Sequence, residues 1–248
     1  MSVFVKLKHN RKAKKENLFK MEKFDRRQHW ENIYQTKNLK EVSWYQKKPE
    51  TSIAFLKEYK IQKSAKIIDI GGGDSNLVDH LIQLGYQDIT ILDISETAIE
   101  KAKSRLGDKA KNVNWIVADA ATFKTTEHYD FWHDRAAFHF LTKDDEIESY
   151  IHTVQNGLSS NGILIIGTFS EQGPKKCSGI EIKQYSEASM THRLKPFFRK
   201  IECIEVDHKT PSDAIQKFIF CSFRKTTEFF LQKNLKLLHF NPCDLTSL

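Results

Sequence analysis

Three glycines and an aspartate in the first half of the chain are the residues best suited to hold a ligand. Residues 67–75 read Ile-Ile-Asp-Ile-Gly-Gly-Gly-Asp-Ser, so an apolar run that contains Asp69 leads into Gly71, Gly72 and Gly73. Glycines let the backbone approach a ligand closely, and the helix predicted to follow offers free N–H groups at its start. By itself, such a turn indicates a nucleotide-like ligand and no particular one.

Two further aspartates follow apolar runs at spacings that narrow the choice of ligand. Asp93 ends the run 89–92 and lies twenty residues after Gly73, and Asp119 follows the run 113–118. An acid at the first of these positions can accept both hydroxyl groups of a ribose. Because the carboxyl ends of parallel strands meet at one edge of a sheet, we expect all three carboxylates around one crevice. N-capping of the following helices is the alternative role for these acids.

A nicotinamide dinucleotide is the natural competitor for such a site. Its fingerprint has a third glycine three residues after the second, and this chain has Asn76 there. That fingerprint also usually has no acid at the position of Asp69. The sequence therefore favours a different nucleotide-containing cofactor.

The elements that would carry these residues alternate between short apolar runs and helical patterns. Strands are predicted at 66–70, 89–94, 113–118, 129–133 and 162–169, and helices at 76–84, 97–106 and 144–157. After a long loop at 170–186 and a short helix, strands at 199–208 and 216–223 follow each other directly. We therefore predict an α/β fold with a Rossmann-like, seven-stranded, mostly parallel sheet, helices on both faces and an antiparallel C-terminal strand pair.

Charge is distributed unevenly along the chain. Residues 1–20 hold seven Lys or Arg and one Glu, so this segment carries +6 of the net charge of +7. We predict a disordered basic arm at 1–20, one domain at 21–225 that begins with a helical, aromatic-rich segment, and a tail at 226–248. Because the domain itself is nearly neutral, a nucleic-acid partner is not expected unless the arm provides the contacts.

The rest of the composition restricts the class of protein. The four cysteines show no spacing typical of metal ligands, so no metal site is expected. No apolar run approaches the roughly 18–20 residues that cross a bilayer, and the N-terminus lacks the apolar segment of a secretory signal. We therefore expect a cytoplasmic protein with reduced thiols, away from the membrane, that is a monomer or weak dimer.

Together the glycine turn and the strand-end acids resemble the class I S-adenosylmethionine (SAM)-dependent methyltransferases. The matching pattern is Asp-x-Gly-x-Gly after strand one, an acid at the end of strand two and Asp-Ala after strand three, with Ser75 replacing a frequent third glycine. The resemblance implies SAM as cofactor and S-adenosylhomocysteine (SAH) as product.

The resemblance also implies roles for individual residues. Asp93 would hold the ribose hydroxyls, Asp119 and Ala120 would meet the adenine, and the glycine turn would lie under the methionine part. Asp69 would order the loop and the SAM amino group. Trp44 and Tyr45 either pack in the core or belong to an N-terminal lid over SAM. The complete set of residues predicted to bind the cofactor is Trp44, Asp69, Gly71, Gly72, Gly73, Ser75, Asp93, Ile94, Asp119, Ala120 and His133.

The stretch 132–141, Trp-His-Asp-Arg-Ala-Ala-Phe-His-Phe-Leu, carries a narrower resemblance. Its Asp-Arg-Ala-Ala is similar to thiopurine methyltransferases. The whole stretch, with the segments 43–46 and 173–179, resembles a broad bacterial group of class I methyltransferases. That group is similar to the citrate synthase lysine methyltransferase and to a lysine methyltransferase that acts on an elongation factor. The resemblance implies protein lysine as one acceptor class, beside small molecules.

The same stretch contains the candidate catalytic residues, which are His133, Asp134, Arg135 and His139. Methyl transfer mainly needs donor and acceptor to be aligned, and an ammonium or hydroxyl acceptor must also lose a proton. The two histidines have buried, structural roles as alternatives. Asp134 and Arg135 could form an ion pair that shapes the pocket, and Arg135 could instead hold a carboxylate of the acceptor.

The sequence alone is compatible with three functions. The first is a SAM-dependent methyltransferase that acts on protein lysine or on a small molecule. The second is a nucleic-acid methyltransferase that uses the basic arm, and the third is a SAM-binding protein without catalysis. The first is favoured because the sequence has every main cofactor position and its domain has almost no net charge.

Overall fold

A computed structural model describes residues 24–226 of the chain. The predicted basic arm at 1–20 lies outside the described residues, as does all but the first residue of the predicted tail at 226–248. Before the sheet lie two helices, α1 (Arg26–Thr36) and α2 (Glu50–Glu58), with a short 3₁₀ turn between them. The helical segment predicted here thus consists of two helices, and Pro49 directly precedes the first residue of α2.

The remaining elements alternate as predicted until the end of the fifth strand. They are β1 (Lys66–Ile70), α3 (Leu77–Gln83), β2 (Asp88–Asp93), α4 (Glu96–Leu106), β3 (Val113–Val117), β4 (Tyr129–Arg135), α5 (Asp144–Gly157) and β5 (Leu158–Phe169). After them come β6 (Lys176–Cys177), β7 (Ile180–Glu181), α6 (Glu187–Leu194), β8 (Phe198–Lys209) and β9 (Ile215–Lys225).

Seven strands form one sheet in the order β3-β2-β1-β4-β5-β9-β8. The pairs from β3 to β5 are parallel, and β9 is antiparallel to both β5 and β8. The predicted mostly parallel sheet with an antiparallel C-terminal pair is thus confirmed. The sheet order reverses between β1 and β4, which is where ligands of open α/β sheets bind.

Alternate residues of β1 show how the two faces are covered. Ile67 packs in a buried cluster with side chains of α2 and α3, whereas Ile68 and Ile70 pack in a second cluster with side chains of α5 and α6. Because successive strand residues point to opposite faces, one strand contributes to both cores. Helix α5 fits this arrangement since its buried residues recur at Ile147, Tyr150, Ile151 and Val154, and acids occupy its first turn.

Two features differ from the sequence prediction. The loop predicted at 170–186 contains the small hairpin β6–β7, whose turn places Ser178 and Gly179 at φ values of 51° and 83°. The expectation of reduced thiols is wrong for Cys203 and Cys221, which lie directly opposite each other on β8 and β9 and form a disulfide. The spacing of the two cysteines in the sequence does not reveal the disulfide, because their pairing depends on the register of β8 and β9.

Within residues 24–226, no helix combines the length and apolar character needed to cross a membrane. Over the same range, no group of three or more His, Cys, Asp or Glu side chains is arranged to hold a metal ion.

Candidate functional site

The glycine turn after β1 is held by the neighbouring strand. The N–H groups of Gly71 and Gly72 donate to the carbonyl oxygen of Leu92, near the end of β2, at 2.7 and 3.2 Å. Gly71 and Gly73 have φ values of 68° and 23°, which L side chains rarely adopt. The turn therefore brings bare backbone and the start of α3 to the carboxyl edge of the sheet, where one pocket lies.

Asp93 ends β2 on the wall of this pocket and is almost fully buried. Its Oδ1 accepts a hydrogen bond from the N–H of Ser95 at 2.8 Å. The side chain that caps α4 is Ser95 and not Asp93, so the alternative capping role does not account for this acid. Burial raises the pKa of Asp93 to about 7, and the nearby carboxylates of Asp69 and Glu31 act in the same direction.

Asp69 lines the same pocket and is joined to a chain of buried polar groups. Its Oδ1 lies 2.6 Å from Nδ1 of His133, and the other ring nitrogen of His133 lies 2.9 Å from Oγ of Ser52. The chain connects β1, β4 and α2. It fixes the Asp69 carboxylate beside the glycine turn, and Ser52 is a member that the sequence did not reveal.

Asp119 lies after β3 and is held by the N-terminal helix. Arg26 donates to both of its carboxylate oxygens at 3.1 and 2.9 Å, and donates to Glu146 at 2.8 Å. The N–H of Ala121 donates to Oδ1 of Asp119 at 2.9 Å. The carboxylate thus orders its own turn and fastens α1 over this end of the sheet.

A second set of contacts fastens α1 at its middle. The carboxylate of Glu31 accepts hydrogen bonds from Oγ of Ser95 and from the backbone N–H groups of Glu96 and Thr97, at 2.6 to 3.2 Å. These donors form the N-terminus of α4, which favours a negative charge. Helix α1 is therefore a packed part of the pocket wall.

Four aromatic side chains that line the pocket pack together, and we call them the aromatic wall: Trp30, Tyr34, Trp44 and Phe140. Ring centroids of Trp30 lie 5.7 Å from Trp44 and 5.0 Å from Phe140, with nearly perpendicular planes. Ile180 of the β6–β7 hairpin packs against the same cluster, and Cys177 of that hairpin lines the pocket. Of the four residues of the aromatic wall, only Trp44 was predicted as a site residue.

The residues predicted to bind the cofactor mostly meet in this one pocket. Those that line it are Trp44, Asp69, Gly71, Gly72, Ser75, Asp93, Ile94, Asp119 and Ala120. Gly73 lies behind the wall, against the side chain of Asp93. His133, which was also predicted to bind the cofactor, does not line the pocket, because its imidazole is buried behind Asp69 with both nitrogens hydrogen-bonded.

Of the four candidate catalytic side chains, only Arg135 lines the pocket. Asp134 is fully buried, accepts hydrogen bonds from the N–H groups of Ala137 and Phe138 and from the hydroxyl of Tyr150, and so shapes the turn after β4. Burial raises the pKa of Asp134 to about 6. The predicted Asp134–Arg135 ion pair is absent among the described residues.

His139 also lies behind the pocket. Its side chain is fully buried, and its Nδ1 accepts a hydrogen bond from the N–H of Phe169 at 3.4 Å. Burial lowers the pKa of His139 to about 3, with a smaller contribution from the Arg135 cation, so the ring is neutral at physiological pH. This position favours the structural alternative for His139 over proton transfer with a ligand in the pocket.

Comparison with known proteins identifies the central part of the chain. Residues 67–162, which run from β1 into β5, match the family described as methyltransferase domain. A mouse eEF1A lysine and N-terminal methyltransferase is 33% identical over 91 residues, which are 37% of this chain and 13% of that protein. Malonyl-[acyl-carrier protein] O-methyltransferase 1 of Ilyobacter polytropus is 28% identical over 112 residues, 45% of this chain and 40% of that protein. The chain thus spans less than half of either relative.

Solved structures show the same fold. The N-methyltransferase NodS from Bradyrhizobium japonicum WM9, crystallised in complex with SAH, superposes with a TM-score of 0.61. The match covers 81% of this chain and 99% of NodS at 15% sequence identity. At that identity the likeness concerns the fold, which extends beyond the segment matched by the family.

Proposed function

We propose that the chain is a class I SAM-dependent methyltransferase that transfers the methyl group of SAM to an acceptor bound in the pocket at the carboxyl edge of the sheet. The observation that carries the proposal is the position of Asp93. This buried carboxylate ends β2 on the wall of the pocket that also contains the glycine turn and Asp119.

In this proposal the polar side of the pocket holds the cofactor. Gly71 and Gly72 lie under its methionine part, Asp93 accepts the ribose hydroxyls, and Asp119 with Ala120 meets the adenine. The ribose contact suits Asp93 because a carboxylate can accept two hydrogen bonds at once. SAM, when bound, supplies an electrophilic methyl group on a sulfonium, and SAH is the product.

The contribution of the chain to the chemistry is mainly alignment and exclusion of water. The aromatic wall encloses the pocket with apolar surface. His133 and Asp134 have their polar atoms occupied by other protein groups, so we propose that both act as positioning residues. Displacement at a sulfonium suits this arrangement, because its leaving group is already good and correct geometry supplies much of the rate.

The acceptor is proposed as a protein lysine or a small molecule. Relatives named for eEF1A lysine and N-terminal methylation and for malonyl-[acyl-carrier protein] O-methylation support these two classes. Nucleic-acid methylation depends on residues 1–20, which lie outside the described residues. The expected cytoplasmic location and the monomeric or weakly dimeric state remain predictions.

Methyl transfer to a cell lysate tests the proposed activity. Purified full-length protein with methyl-labelled SAM is expected to label either the protein fraction or the small-molecule fraction, and Asp93→Ala is expected to abolish the labelling. Asp88→Ala is the matched control, because Asp88 lies at the opposite end of the same strand. SAM binding without labelling of any fraction would support the non-catalytic alternative.

A further inference from the structure

Arg135 is a partly buried cation without an ion-pair partner among residues 24–226. It ends β4, lines the pocket, and its Nη1 donates to the carbonyl oxygen of Trp44 at 3.1 Å. Its guanidinium carbon lies 5.0 Å from the centroid of the Phe218 ring. No carboxylate of residues 24–226 forms an ion pair with it, and its Nη2 is buried without a hydrogen-bond partner in the same range.

No carboxylate of the described residues contacts Arg135 directly. The charge of Asp69 attracts Arg135 from a distance and raises its pKa, but the Asp69 carboxylate is hydrogen-bonded to His133 and not to the guanidinium. Burial raises the pKa of the Cys177 thiol to about 11, so this nearby group is neutral. Burial also lowers the pKa of Arg135 to about 10, which still leaves it protonated at physiological pH. A guanidinium nitrogen that is buried without a hydrogen-bond acceptor, as Nη2 is here, is costly unless a ligand supplies the acceptor.

The position of Arg135 separates it from the acids proposed to bind the nucleoside. Asp93 ends β2 and Asp119 follows β3, and both strands lie on one side of β1 in the sheet. Arg135 ends β4, on the other side of β1, and contacts Phe218 of β9. Nη2 of Arg135 therefore lies in the half of the pocket opposite the acids proposed to bind the cofactor, and this half is available to the acceptor.

We propose that the methyl acceptor carries a carboxylate that is received by Nη2 of Arg135, with an apolar body against the aromatic wall. This inference rests on the proposed function and names its substrate class. A guanidinium donates well-directed hydrogen bonds to a carboxylate, whereas it repels the ammonium of a lysine. The site is accordingly built for a small organic acid and not for a protein lysine.

Matched acids and amides test the proposal on the full-length protein. Binding of benzoate and benzamide, and of hexanoate and hexanamide, is measured by ligand-observed NMR with and without saturating SAH. We expect each acid to bind at least about tenfold more tightly than its amide, as for a charge-assisted hydrogen bond. Arg135→Met is expected to remove the preference, and Arg135→Lys to retain part of it; circular dichroism checks that each variant is folded.

The other outcomes separate this inference from the proposed function. Equal binding of acid and amide, or a preference that survives Arg135→Met, would overturn the acceptor assignment. The assignment would also fail if Arg135→Met bound SAH tenfold more weakly than the wild type but bound decarboxylated SAH equally well. Arg135 would then hold the carboxylate of the cofactor. If wild-type protein prefers the acids but does not bind SAH, the proposed function fails while the anion site stands.

Discussion

Replacing Asp93 with alanine is expected to weaken SAH binding by at least about a hundredfold while the protein stays folded. The loss corresponds to the two hydrogen bonds that the ribose hydroxyls would donate to the carboxylate, each of which contributes about tenfold or more. Isothermal titration calorimetry measures the affinity. Asp88→Ala, at the start of the same strand, is expected to bind SAH like the wild type. An unchanged affinity in Asp93→Ala would contradict the role given to this acid.

The raised pKa of Asp93 adds a pH dependence to the same prediction. Since the pKa lies at about 7, acidification from pH 8 to pH 6 protonates the carboxyl and removes one acceptor, so SAH affinity is expected to fall. Asp93→Asn, which cannot titrate, is expected to bind weakly at every pH. A wild-type affinity that stays flat over this range would contradict the assignment.

The free energy of unfolding of the ligand-free protein is expected to rise on acidification, whereas the SAH affinity is expected to fall. Folding raises the pKa of Asp93 from 3.8 to about 7. The protonated carboxyl therefore stabilises the folded state fully below pH 3.8, and this contribution is lost as the pH rises through about 7. Denaturant unfolding from pH 5 to pH 8 measures this slope, and Asp93→Asn is expected to reduce it. Burial also raises the pKa of Asp134, which contributes to the wild-type slope with the same sign.

Gly73→Ala is expected to abolish detectable SAH binding and to lower the free energy of unfolding by about 1–3 kcal/mol. A Cβ added at Gly73 would overlap Oδ2 of Asp93 and lie 3.0 Å from Cβ of Ala98, so the carboxylate proposed to bind the ribose would have to move. The variant is compared with the wild type by calorimetry and by denaturant unfolding.

Gly85→Ala is the matched control for this variant. Gly85 also has a positive φ, of 86°, but an added Cβ there meets no atom within 4 Å. It is expected to lose about 1–2 kcal/mol of stability through backbone strain and to keep its SAH affinity. Normal SAH binding by Gly73→Ala would show that Asp93 is not held against the turn in the way described.

The part of the site built from strand ends could be predicted from the sequence. Asp69, Asp93 and Asp119 each follow a short apolar run, and the parallel sheet brings such positions to one edge whatever the details of packing. The glycine turn could also be predicted, because it is defined by neighbouring residues of one segment. For the same reason the bounds of β1 agree with the prediction to the residue.

The parts that depend on packing between distant segments could not be predicted. Arg26 reaches Asp119 across 93 residues, and His133 meets Ser52 across 81. Neither pair has a spacing that a sequence pattern reveals. The burial of His139 and the missing partner of Arg135 likewise follow from how β4, β9 and the N-terminal helices surround the same turn.

Calorimetric titration of the wild-type protein with SAM, SAH and NADH tests whether the pocket at the carboxyl edge of the sheet binds SAM. We expect micromolar binding of SAM and SAH and no heat of binding with NADH. Folded protein that binds neither SAM nor SAH, or that binds NADH in their place, would contradict it.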